Sequence, residues 1–173
     1  MIIQLTGALL VLGATIWMGI YFAAKEKYRL QELEELERSI LLFEGQIQYL
    51  SAPLPEVLES TAWKMDGVMG DVFRQAAKRM QERDGDSAEE IWAEVWQSKA
   101  EQLFLTEEDM EAVLLFGKTL GYLDKEQQEN NIRLLLRYIR NALEQGRKRL
   151  DKNGRLYYGM GGLSGLLVVV MLL

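Results

Sequence analysis

The sequence predicts an all-α protein, an antiparallel bundle of about six helices set between two membrane-spanning helices. Two observations carry that expectation. Every charged residue lies between positions 25 and 155, so both ends are uncharged while the middle is highly charged. The middle is rich in Leu, Glu, Gln, Arg and Ala, a helix-forming composition, and its only prolines are Pro53 and Pro55.

The first uncharged run is Ile2 to Ala24, interrupted only by Gln4, Thr6 and Thr15. As a helix it would span roughly 34 Å, about one bilayer core with some tilt. Trp17, Tyr21 and Phe22 stand toward its far end, where an interfacial aromatic belt belongs. No basic residue precedes the run, as a cleaved signal peptide would require. The second run, Leu156 to Leu173, would span roughly 27 Å and has no polar face for its last nine residues. Three segments result: an N-terminal span over 1–24, a helical domain over 25–155 and a C-terminal span over 156–173. Gly19 and Ala23 in the first span, and Gly161 and Gly165 in the second, recur at four-residue spacing. That spacing suits close helix packing in lipid, although glycine is common in membrane helices generally.

Basic residues flank only the inner sides of the two runs: Lys25, Lys27 and Arg29, then Arg147, Lys148, Arg149, Lys152 and Arg155. The positive-inside rule then sets residues 25–155 in the cytoplasm and both termini outside. The same residues are expected to form a collar facing an anionic membrane surface. Residues 25–29 and 147–155 carry eight basic and two acidic side chains, while the rest carries 12 basic and 24 acidic. So acidic a remainder disfavours nucleic acid.

Within the middle, Leu33, Leu36, Ile40, Phe43, Ile47 and Leu50 repeat every three and four residues, the seam of helix-on-helix packing. This helix is expected to end near Ser51, before the prolines. Pro55 opens a short second helix carrying Val57, Leu58 and Trp63. A third covers about 68–83, with Met69, Val72, Phe73, Ala76 and Met80 inward. Ser87 with Glu90 reads as a capping box for a fourth, carrying Ile91, Val95 and Trp92 or Trp96. Thr106 caps a fifth whose first turn is acidic. Asp124 with Gln127 opens a long sixth with Ile132, Leu135, Ile139, Ala142 or Leu143, and Gly146 inward.

Enzymatic chemistry has little to work with. The chain has no cysteine and no histidine, which removes thiolate chemistry, the usual general base and the usual metal ligand. Phe116-Gly117-Lys118-Thr119 ends like a phosphate-binding loop, but Ala112 stands where the earlier glycine is needed. Glu32, Glu34, Glu35 and Glu37 read as a solvated face, because consecutive acids on a helix do not converge. No cofactor and no metal are expected, and the Trp and Met positions read as core. Gly117 and Gly121 stand four apart on an expected helix, either for close packing of a neighbour or for a partner groove. Gly121 could instead be a helix C-cap. Asp124 and Gln128 belong to the same candidate surface.

Four stretches, in order, resemble the stage III sporulation protein AB family of endospore-forming Firmicutes. They are Leu-Thr-Gly-Ala-Leu-Leu-Val-Leu-Gly-Ala-Thr at 5–15, Pro-Leu-Pro-Glu at 53–56, Gly-Lys-Thr-Leu-Gly-Tyr-Leu-Asp-Lys-Glu-Gln-Gln at 117–128, and Gly-Gly-Leu-Ser-Gly-Leu-Leu at 161–167. The resemblance covers the whole chain, and 117–128 is its most specific part. It implies a non-enzymatic component of the channel joining mother cell and forespore, in the mother-cell membrane around the forespore. The family is similar to the inner-membrane platform protein of type II secretion and type IV pilus systems. By that likeness the partners would be the other stage III sporulation channel proteins and a cytoplasmic ATPase, stage III sporulation protein AA. Self-association is possible. The alternative function is a small membrane-anchored assembly or regulatory factor that binds one soluble partner.

Overall fold

The computed structural model describes residues 2–50, 52–82, 85–121 and 125–172, without the side chains at 2–16, 18–20, 22–23, 48–50, 125 and 153–172. Among the described residues six α-helices follow one another: α1 (Ile2–Leu50), α2 (Leu54–Ala62), α3 (Gly67–Glu82), α4 (Ala88–Lys99), α5 (Glu107–Gly117) and α6 (Lys125–Leu172), with a short 3₁₀ turn at Ala100–Gln102. Among the described residues there is no strand.

Two compact units divide the chain. One is built from its two ends, Met1–Tyr28 and Glu144–Leu173; the other is Arg29–Leu143. In the first, Trp17 stacks on Tyr21 one turn on, with ring centroids 6.5 Å apart. The positions expected to pack in lipid, Gly19 with Ala23 and Gly161 with Gly165, fall on helical backbone, in stretches without described side chains. Among the described residues, no helix is long and apolar enough to cross a membrane. Most side chains of both uncharged runs lie outside that description.

The Arg29–Leu143 unit holds a core that its periodicity foretold. Leu33, Leu36, Ile40 and Phe43 on α1 are buried, as are Ile132, Leu135, Ile139 and Leu143 on α6. Between them, α2 packs on α3, α3 on α4, and α4 on α5. An aromatic cluster fills the centre. Trp92 and Trp96, one turn apart on α4, are both fully buried and both meet Phe73 of α3 edge-on. Trp92 also meets Phe116 of α5, which in turn meets Phe43 of α1. Edge-to-face rings add to the burial of their large apolar surfaces.

The helix ends follow local chemistry. Pro53 precedes α2, whose first turn needs no N–H from Pro55. Ser87 and Glu90 form the expected capping box at α4. Thr106 forms another at α5, with Asp109 rather than Glu or Gln as its third residue. Asp124, the expected cap of α6, lies outside the described residues. Trp63 departs from the sequence reading. Helix α2 ends at Ala62, so Trp63 falls at its C-cap and is 81% exposed instead of inward.

Candidate functional site

Helix α5 is held at both ends, by different means. At its C-terminal end Gly117 lies beneath the Trp92 ring. A Cβ on Gly117 would collide with Trp92 Cδ1 and stand 2.8 Å from both Cγ and Nε1. The Trp92 indole N–H donates to the Val113 carbonyl at 3.0 Å, which fixes the ring there. Glycine at 117 therefore answers a close approach by α4, and the residue is buried. Gly121 is not on the same helix. It follows in the turn after α5 with φ of 87°, the left-handed region glycine tolerates. Asn131 on α6 secures that turn, donating to the Phe116 carbonyl at 3.2 Å and to the Thr119 hydroxyl. The segment that mimics a phosphate-binding loop is thus a helix end and a turn. Gln128 lies half-exposed on α6.

At the N-terminal end of α5 a buried charge network joins that helix and its cap to α1 and α6. Arg29 of α1 grips Asp109 with two parallel hydrogen bonds, Nε to Oδ2 at 2.6 Å and Nη2 to Oδ1 at 2.8 Å. Both residues are buried, Arg29 at 6% and Asp109 at 1% exposure. Asp109 also accepts from the Thr106 backbone and hydroxyl, each at 2.8 Å. The Tyr138 hydroxyl of α6 donates to Asp109 Oδ1 at 2.8 Å. A buried ion pair survives desolvation only when its remaining lone pairs are also satisfied, and here they are. Burial pushes the Asp109 carboxyl up, but the bonds from Arg29, Thr106 and Tyr138 outweigh it and hold the group below its usual range. Tyr138 moves the other way: burial, then the hydrogen bond to Asp109, raises its phenol.

One turn after Arg29, Glu32 Oε2 accepts the Phe104 backbone N–H at 2.6 Å. Burial raises its pKa to about 7, with Phe104 opposing and the Glu35 and Asp109 charges adding to the rise. This corrects the reading of 32–37 as one solvated face. Glu34 and Glu35 are exposed, but Glu32 is tied to the segment before α5, and Glu37 pairs with Arg140 at 2.6 Å.

The basic collar is also revised at one member. Arg29 is spent inside the helical unit on Asp109, because two α1 residues one turn apart clamp the start of α5. Lys25, Lys27, Arg147, Lys148, Arg149 and Lys152 are exposed in the unit built from the chain ends, with Lys148 meeting Glu144 at 2.6 Å. The Arg155 side chain lies outside the described residues.

Sequence reasoning missed Asp109 and Tyr138. Asp109 could have been found as the third residue after the Thr106 cap, but nothing local marks it as the partner of a residue 80 positions away. Among the described residues, no group of three or more acidic side chains could hold a metal ion. Chemically the site joins elements: Asp109 ties the start of α5 to α1 through Arg29 and to α6 through Tyr138.

These features define a helical domain with a charge-knit interior, carried in the sequence between two uncharged chain ends. The description "Stage III sporulation protein AB" belongs to the family model that matches residues 4–173. The chain therefore belongs to the stage III sporulation protein AB family, which places it among sporulation proteins. It is 25% identical over 171 residues to stage III sporulation protein AB of Bacillus subtilis (strain 168), covering 99% of both chains. A solved structure of a stage III sporulation protein AB superposes with a TM-score of 0.67 at 21% identity, over 72% of this chain and 97% of that one. That likeness confirms the helical fold.

Proposed function

We propose that the protein is a non-enzymatic, two-pass membrane component of a secretion-like complex required for spore formation. The ends of α1 and α6 cross the mother-cell membrane around the forespore, the domain between them is cytoplasmic, and the chain serves as a platform coupling a cytoplasmic ATPase to a channel. The observation that supports this most is the extent of the family match, which takes in both uncharged ends as well as the helical domain. The uncharged runs have the length and flanking charge of spans, and the buried Arg29–Asp109–Tyr138 network joins helices, as suits a scaffold.

Two measurements test the reading. Tagged protein recovered from sporulating cells should bring down stoichiometric membrane partners and an ATPase. Recovery with one soluble protein alone would favour an assembly or regulatory factor. The chain has no native cysteine, so a single cysteine placed near residue 85, at exposed Glu82, reports topology cleanly. It should resist membrane-impermeant labelling in intact cells. Labelling without permeabilisation would overturn the cytoplasmic placement.

A further inference from the structure

The outer face of α5 and α6 carries charge and apolar surface in an order that complements itself. The two helices run antiparallel: Asp109 meets Tyr138, and the Phe116 carbonyl meets Asn131. In that register Leu134, between Asn131 and Tyr138, stands opposite the turn of α5 that ends in Leu115. Leu115 is 60% exposed and Leu134 59%. Singly exposed leucines are ordinary, but in this register the two stand at nearly the same level on neighbouring helices. Along this face α5 exposes Glu108 and Glu111 before Leu115, with Lys118 just past its end, while α6 exposes Arg137 beyond Leu134 and Arg133 and Asn130 before it. Arg133 meets Glu129 one turn earlier at 3.4 Å. Among the described residues, Glu108, Glu111 and Arg137 join none of the domain's ion pairs.

We propose that this face docks a second copy of the same chain, about a two-fold axis running parallel to α5 and α6. A rotation about such an axis, lying in the plane of contact, exchanges left and right but preserves direction along the helices. The acidic row on α5 of one copy then meets the basic row on α6 of the other, and the leucines meet at the centre. An axis running across the helices would set glutamate against glutamate. An isologous contact requires a patch that matches itself, and this sign pattern meets the requirement. Two leucines per copy make a small apolar centre, so the contact belongs to the weaker, concentration-dependent class.

The test uses the full-length chain in membranes or mild detergent. Leu134→Cys should give a disulfide-linked dimer under mild oxidation, faster than Leu41→Cys, an exposed leucine on α1. Arg137→Glu added to Leu134→Cys should cut the dimer yield about tenfold, since it sets like charges together. Glu111→Arg should do the same, and Arg137→Glu with Glu111→Arg should restore the yield. Circular dichroism of each variant establishes that helicity is kept. Linking at Leu134→Cys no faster than at Leu41→Cys would overturn the proposal. So would an adduct with a different protein, or folded single variants whose combination fails to recover.

Discussion

The two ends of α5 make an instructive pair. At Gly117 a neighbouring ring, fixed by one neutral hydrogen bond, closes on bare backbone, and the contact is chiefly one of shape. At Asp109 a carboxylate collects an arginine, a tyrosine and its own helix cap, and the contact is one of charge. The shape end tolerates no added volume but ignores pH. The charge end responds to pH and fails asymmetrically, because removing one partner strands the other in a buried position.

The largest effect should therefore come from Asp109→Ala. It leaves the Arg29 guanidinium buried without its carboxylate and removes the capping partner of Thr106. Stability should fall by about 3–5 kcal/mol, read by urea unfolding of the full chain in mild detergent. A loss under about 1 kcal/mol would mean that water reaches Arg29 readily and that the network is not a closed unit.

Gly117→Leu should rank next, at about 1–3 kcal/mol, through overfilling beneath Trp92. The effect should not depend on pH, and the intrinsic fluorescence should shift, because Trp92 must leave its Val113 hydrogen bond. A variant that melts like the parent would show that the ring can swing aside freely.

Tyr138→Phe should cost less, about 1 kcal/mol, since Asp109 keeps Arg29 and Thr106 when the phenol is removed. In the Asp109→Ala background the same change should cost nearly nothing, the signature of two residues acting through one bond. Full additivity would place Tyr138's contribution in packing instead.

The difference between the two ends also explains what could be read without a structure. The shape end was legible. A glycine inside a helix raises the question of close approach, and the inward registers of α1, α3, α4 and α6 follow from apolar spacing. The charge end was legible only as a cap. Thr106 announces a helix start, but the pairing of Asp109 with Arg29 spans 80 residues, and no local pattern encodes it. Arg29 misled for a physical reason: a basic residue just after an uncharged run has the same local signature whether it turns to a membrane surface or inward. Trp63 misled because α2 stops one residue before it. Gly121 was placed on a helix that had already ended, although its alternative role near a helix end suits a residue with φ of 87°.

The smallest predicted effect has the most definite sign. Glu32 has its pKa raised by burial to about 7 in the folded chain, against an ordinary value of 4.5. The folded state therefore binds the proton more tightly than the unfolded one. Between those two values stability must fall as pH rises, since folding at high pH keeps a half-buried charge. Asp109 acts in the opposite sense and lower down. Its carboxyl is held below 3.8, so its contribution is present above that pH and lost on further acidification. Stability should thus climb as pH drops from about 7 toward 4.5, then fall away below 3.8. Glu32→Gln isolates the first limb, because the amide oxygen can still accept the Phe104 N–H. At pH 8 the variant should be more stable than the parent by about 1 kcal/mol, after discounting for solvent around a half-exposed group. At pH 4.5 the two should nearly coincide. A Glu32→Gln chain that is less stable than the parent at pH 8 would show that the carboxylate's grip on Phe104 outweighs the cost of burying its charge.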